Sequence, residues 1–200
     1  VYSKPADVNG DGKMDLVWEY GNVPTQGNTE LELRLALSDG TTLVQSSWVG
    51  DMSNVENYKF TFHVIDYNND GYPDLYVSNL GENVLYCNNG DGSFTDVSVR
   101  SGTAVADPVR AGAGVCLLDI ENDGDLDLFV ANYQKYSPDE PMVHIYRGRR
   151  IYVGPERYPP YPNTLLRNNG DETFTDVSEE SGIAAHPGWG MGIVCGDFNQ

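Results

Sequence analysis

Three short stretches of this chain are built to present oxygen atoms. Asp7-x-Asn9-x-Asp11-Gly12-x-x-Asp15, Asp66-x-Asn68-x-Asp70-Gly71-x-x-Asp74 and Asp119-x-Glu121-x-Asp123-Gly124-x-x-Asp127 share one spacing. Acids or amides at positions one, three and five let a tight loop turn every second side chain inward. Glycine at position six permits the sharp turn, and position nine delivers another carboxylate as the chain leaves. Position seven, which is Lys13, Tyr72 or Asp125, can add its backbone carbonyl. A hard cation taking six to eight oxygens at ~2.3–2.6 Å suits such a set, so the expectation is one Ca2+ per loop, about three ions in all. Magnesium prefers to keep its waters in a rigid octahedron, and zinc would want Cys or His. A metal-free Asp/Asn/Gly turn is the competing explanation of a single copy. Three copies at one spacing weigh against it. An EF-hand would need Glu at position twelve and flanking helices. Position twelve is instead Trp18, Val77 or Val130, and each loop runs into an apolar segment: Leu16-Val17-Trp18, Leu75-Tyr76-Val77 and Leu128-Phe129-Val130.

The elements that must position these loops repeat along the chain. Leu85–Ala104 aligns without gaps on Leu165–Ala184, with thirteen of twenty positions identical. Ala111–Asp119 likewise matches Trp189–Asp197, sharing a Gly-x-Gly pair. Acidic loops thus begin at Asp7, Asp66, Asp119 and Asp197. The longest interval holds an insertion, 134–162, rich in Pro, Tyr and Arg. In the second repeat, Phe60–Ile65, Asp74–Asn79, Asn83–Cys87 and Phe94–Ser98 read as strands. Asn88-Asn-Gly-Asp-Gly92 reads as a hairpin turn, with a twin at Asn168–Asp171. No stretch carries a sustained helical period. Four short strands per tandem unit is the pattern of a β-propeller blade, with a β-sandwich ranking second. The expected fold is an all-β propeller with repeats near 1–59, 60–110 and 111–190, and a start of a fourth at 191–200. Asp197 and Asn199 occupy positions one and three of that last loop, which suggests part of a larger ring.

Two hundred residues fit one domain with a sizeable core. The formal charge of −18 argues against nucleic acid and anionic membranes as partners. Ten of the thirty acids are loop ligands, and three Ca2+ would bring −18 to −12. No apolar run approaches the ~18 residues of a membrane span. Three cysteines form no metal spacing, and the odd count predicts no disulfide framework. Cys116 and Cys195, in apolar runs, read as buried thiols. His63, His144 and His186 share no motif.

The acidic loop followed by Asp-Leu, the Asn-Asn-Gly-Asp-(Gly/Glu)-(Ser/Thr)-Phe-Thr-Asp-Val-Ser segment and the Gly112-Ala-Gly114 and Gly190-Met-Gly192 strands resemble the FG-GAP/VCBS repeat family, which includes the integrin α propeller. The Tyr152-Val-Gly-Pro155 insertion is similar to secreted proteins of the cartilage acidic protein and ASPIC/UnbV type. The resemblance implies a seven-bladed propeller, extracellular placement and calcium held in the blade loops for rigidity. The chain departs from the family at Glu121, where Asp or Asn is usual, and lacks the literal Phe-Gly and Gly-Ala-Pro strings.

The leading functional expectation is a non-enzymatic, secreted calcium-binding scaffold for adhesion, protein–protein interaction or self-assembly. No Gly-x-Ser-x-Gly, His-Glu-x-x-His or phosphate-cradling loop is present. A second expectation is a glycan-binding module using Tyr133, Tyr136, Tyr146, Tyr152, Tyr158, Tyr161 and Trp189. Packing of a long loop competes as their explanation. Arg147, Arg149, Arg150 and Arg157 make the insertion locally basic and able to dock an acidic partner. An enzyme with its site in further blades ranks third.

Overall fold

A computed structural model describes residues 3–22, 30–51, 61–104, 110–137, 142–154 and 157–196. Asp197 and Asn199 lie outside them. The first sheet runs β1 (Ser3–Ala6), β2 (Asp15–Asn22), β3 (Glu30–Ser38) and β4 (Leu43–Asp51). The second runs β5 (Thr61–Ile65), β6 (Asp74–Ser78), β7 (Val84–Asn88) and β8 (Phe94–Asp96). The third is built from β9 (Arg110–Leu118), β10 (Asp127–Lys135), β13 (Thr164–Asn168) and β14 (Phe174–Asp176). Between β10 and β13 stands a separate hairpin, β11 (Val143–Tyr146) with β12 (Arg149–Tyr152). All three four-stranded sheets are antiparallel, with each strand beside its chain neighbour once the inserted β11–β12 hairpin is set aside, so each is one propeller blade. The expectation of an all-β protein made of four-stranded blades is met. A four-residue helix, α1 (Ser98–Ser101), interrupts it, too short to leave a periodic signal.

The cores lie between the blades. Strand β6 is buried on both faces. Leu75 and Val77 pack with Val17, Leu33 and Leu35 of the first blade, whereas Tyr76 packs with Leu128, Val130 and Leu166 of the third. A period of two therefore sends alternate residues into different inter-blade cores. Each buried Leu or Val contributes about 1.5–3 kcal/mol, which a blade standing alone would forgo on both faces.

The repeated motifs are explained by the blade junctions. Gly112 donates its N–H to Asn79 O at 3.0 Å, and a Cβ there would stand 1.9 Å from Ser78 Oγ. Gly190 repeats this against Asn132 O, where a Cβ would stand at 2.9 Å. The first glycine of each Gly-x-Gly pair thus leaves room for the neighbouring blade, for the Ser78 side chain at Gly112 and for the Asn132 backbone oxygen at Gly190. In Phe-Thr-Asp-Val-Ser, Asp96 Oδ1 accepts both the N–H and the hydroxyl of Ser98, whose Oγ accepts Leu85 N–H. Asp176, Ser178 and Leu165 do the same. This signature closes the outer edge of a blade and is structural.

The insertion leaves the blade intact. Asn79 N–H donates to Asn83 Oδ1 at 3.0 Å across a short corner, and Asn132 N–H donates to Asn163 Oδ1 at 3.0 Å across the long one. The extra chain hangs from the same bond. Its base is anchored by Tyr158, which is buried, accepts Met142 N–H on its hydroxyl and takes Trp189 Nε1–H on its carbonyl. Its tip turns at Arg147 and Gly148, both at positive φ, and residues 142–151 are exposed.

One expectation fails. Cys116 and Cys195 are joined in a disulfide, their Cα atoms 6.3 Å apart, and are not free thiols. They sit ahead of successive acidic loops, so adjacent repeats bring them together. A separation of 79 residues hides that from any local spacing rule. The bridge ties 189–196 to β9. Closing so long a loop is worth about 4 kcal/mol in a chain-entropy account. Cys87 is the free cysteine.

Candidate metal centre

Each acidic loop connects the first two strands of its blade, at one end of the sheet. The three loops share a backbone. Position four is left-handed at Gly10, Asn69 and Asn122, with φ of 72°, 57° and 58°. Position six is left-handed at Gly12, Gly71 and Gly124. Sequence pattern identified the demand at position six and missed that at position four, where Asn tolerates the conformation as Gly does.

Positions one, three and five fold back onto loop amides. Asp7 accepts N–H bonds from Asp11 and Gly12 at 3.1 and 2.7 Å, Asn9 Oδ1 also meets Asp11 N–H, and Asp11 accepts Lys13 N–H at 2.9 Å. In the second loop Asp66 Oδ2 accepts Gly71 N–H, Asn68 Oδ1 accepts Asp70 N–H, and Asp70 accepts Tyr72 N–H. In the third, Asp119 accepts Asp123 and Gly124 N–H, and Asp123 accepts Asp125 N–H. Glu121 departs from the pattern. It pairs with Arg167 of β13 at 3.4 Å, and desolvation followed by repulsion from Asp127 pushes its carboxyl up. Lys13 donates to Asp11 Oδ2 at 3.2 Å through its ammonium, and its backbone N–H, ahead of the ammonium, holds the Asp11 carboxyl down. Among the described residues, no group of three His, Cys, Asp or Glu side chains forms a closed metal cluster.

Position nine has a second role that the sequence did not disclose. Asp15, Asp74 and Asp127 are buried, and each spans two backbone amides. Asp15 accepts Val8 N–H at 2.9 Å and Ser38 N–H at 2.7 Å. Asp74 accepts Tyr67 N–H at 3.1 Å and Asn88 N–H at 2.8 Å. Asp127 accepts Ile120 and Asn168 N–H, both at 2.8 Å. One carboxylate thus braces position two of its loop to the end of the third strand of its blade. Charge-assisted bonds of this kind are worth about 1.5–3 kcal/mol each. Burial pushes the Asp74 carboxyl up to about 7, against the pull of the Asn88 and Tyr67 amides and reinforced by Asp70 and Asp66.

One atom fits a cation directly. Asp66 Oδ1 is buried and has no hydrogen-bond partner. A carboxylate oxygen out of water and unpaired costs about 1–3 kcal/mol or more. A divalent ion with Asp66, Asn68, Asp70 and the Tyr72 carbonyl around it would remove that cost, with the hard-oxygen set that calcium prefers. The residues present therefore fit Ca2+.

Comparison with known proteins agrees with this architecture. A family model described as FG-GAP-like repeat matches residues 7–77 and 66–130, together more than half of the chain. Cartilage acidic protein 1 of Xenopus tropicalis is 38% identical over 66 residues, 32% of this chain and 10% of that protein. Its Homo sapiens counterpart is 39% identical over 61 residues, 30% of this chain and 9% of that protein. The matched segment is thus about a tenth of the length of these relatives. A solved Agrocybe aegerita lectin, described as recognising non-reducing terminal N-acetylglucosamine, covers 87% of this chain and 36% of its own, with a TM-score of 0.46 and 17% identity. The acidic loops, the Phe-Thr-Asp-Val-Ser edge and the matched residues lead to one assignment: the chain belongs to the FG-GAP-like repeat family.

Proposed function

We propose that this chain is part of a calcium-stiffened, non-enzymatic extracellular scaffold, with Ca2+ held by Asp7, Asn9, Asp11 and the Lys13 carbonyl, by the corresponding second-loop set around Asp66, and by Asp119, Glu121, Asp123 and the Asp125 carbonyl. The observation that carries it is the buried, unpartnered Asp66 Oδ1 on a loop backbone shared three times. Position nine contributes charge to each site from its brace. Ca2+ supplies positive charge that offsets the repulsion within each carboxylate set. The chain's own residues fix the loop at its two left-handed positions and hold it against the blade.

The disulfide supports placement in an oxidising compartment. No helix among the described residues is long and apolar enough to cross a membrane. The interaction element is the insertion hairpin. Ile145, Tyr146 and Ile151 are 58%, 55% and 44% exposed, and Arg147, Arg149 and Arg150 stand beside them. Isolated two-stranded hairpins are marginal in water, so this one is suited to completion by a protein partner of acidic character. Thermal unfolding in excess Ca2+ and in excess chelator tests the core of the proposal. A melting temperature at least several degrees higher with Ca2+ is expected, and an unchanged one overturns it.

A further inference from the structure

The hydrogen bonds of the loops do not stop at blade boundaries. Position two of each loop is the link. Val8 donates its N–H to Asp15, and its carbonyl accepts Asn88 Nδ2–H from the second blade at 2.8 Å. Asn88 N–H donates to Asp74, whose other oxygen accepts Tyr67 N–H. The Tyr67 carbonyl accepts Asn168 Nδ2–H from the third blade at 3.0 Å. Asn168 N–H donates to Asp127, which also accepts Ile120 N–H. An unbroken relay of peptides, carboxylates and amides thus runs from the first loop to the third. Each asparagine also reaches its own loop, at Pro73 O or Leu126 O.

We propose that Asn88 and Asn168 are positioning residues that couple calcium binding at successive loops, so that filling one loop raises the affinity of its neighbours. This rests on the calcium proposal above. Position two follows position one, the first ligand, directly in the chain. Asp66, if it held an ion, would also fix the adjoining Tyr67 peptide, whose N–H donates to Asp74 of its own blade and whose carbonyl accepts from Asn168 of the next. The intervening groups are buried: Asp15, Asp74, Asn88, Asp127 and Asn168 are all at most 5% exposed. Water cannot replace a bond lost there, so the groups favour moving together. The first junction has a second tie. The Tyr72 ring, at position seven of loop two, fits against two glycines: a Cβ on Gly10 of loop one would lie 3.0 Å from it, and one on Gly90 2.9 Å. The equivalent Asp125 faces Gly170 of its own blade and makes no such link in that contact. Coupling should therefore be stronger between loops one and two than between two and three.

The test uses the whole 200-residue chain. Protection of amides in 7–14 and 119–126 against hydrogen exchange is followed as Ca2+ is titrated. Loop two is then disabled by Asp66→Asn with Asp70→Asn. The expected result is a several-fold weaker calcium dependence of protection in both flanking loops, larger in 7–14. Adding Asn88→Ser should weaken the response of 7–14 to the state of loop two, leaving only the part carried by the Tyr72 contact with Gly10. Serine is the conservative choice, because Ser38 already occupies this place in the first blade and keeps the turn contact to Gly40 N–H. If Asn88→Ser fails to fold, the loop-two variant alone still decides. Flanking loops that keep unaltered calcium midpoints overturn the coupling and leave calcium binding standing. Protection that never responds to Ca2+, in the parent chain, overturns both.

Discussion

The first blade and the two that follow differ at one residue of the same corner. At the end of the third strand the second and third blades carry Asn88 and Asn168, and the first carries Ser38. All three give their N–H to the position-nine carboxylate, and all three accept a glycine N–H in the turn. Only the asparagines have a second arm, and it grips the carbonyl of the preceding blade's loop. The difference separates what a blade needs to close itself, a carboxylate brace and a turn acceptor, from what it needs to hold its neighbour, an amide donor long enough to cross the junction.

The largest effect expected is from removing a brace. Asp74→Ala should cost about 3 kcal/mol, since two buried amides lose their shared acceptor. It should also exceed Asp15→Ala, because Asp74 anchors the asparagine that holds the first loop, whereas Asp15 serves its own blade. Denaturant unfolding of the two variants measures this, and equal losses would erase the distinction between the blades. Next in size is reduction of Cys116–Cys195, worth up to about 4 kcal/mol by chain entropy but less if 189–196 stays packed when released. Hydrogen exchange should show 189–196 loosened while the junction at Val8 and Asn88 stays protected. Asn88→Ser should cost about 1–3 kcal/mol, since the amide loses its bonds to both Val8 O and Pro73 O. Ser38→Asn should change stability by less than about 0.5 kcal/mol, the range of substitutions that disturb no special contact.

A separate effect is a pH dependence. Burial, followed by the nearby Lys4 charge, lowers the His63 pKa from 6.5 to about 4. The folded state then binds fewer protons at this site than the unfolded chain between about 4 and 6.5. Its contribution is full above 6.5 and is lost as pH falls towards 4. His63→Gln should flatten the fall in stability over that window, measured by denaturant midpoints at several pH values.

Much of this was legible in the sequence because it is local. Phe60–Ile65, Asp74–Asn79, Asn83–Cys87 and Phe94–Ser98 match β5 to β8 within a residue or two, as alternation and Asn-Gly turns act over a few residues. The loop positions share one backbone for the same reason. What stayed hidden depends on blade adjacency. Asp74 looks like one more ligand until Asn88 is seen beside it, and Asn168 looks like a turn residue until Tyr67 O is found 3.0 Å away. Cys116 and Cys195 looked like apolar fillers because the pairing arises only when one repeat lies on the next. The pattern itself held a clue, since both stand just before an acidic loop. The β11–β12 hairpin leaves little pattern in the sequence because Pro and Tyr dominate its surroundings, although Arg147-Gly148 is a turn signal.

The most direct trial of the account is calorimetric titration of Ca2+ into the metal-stripped 200-residue chain. The account predicts saturable binding of about three ions, one for each six-to-eight-oxygen site, and weaker binding in Asp66→Asn. Absence of saturable heat, or binding that Asp66→Asn leaves untouched, would contradict it.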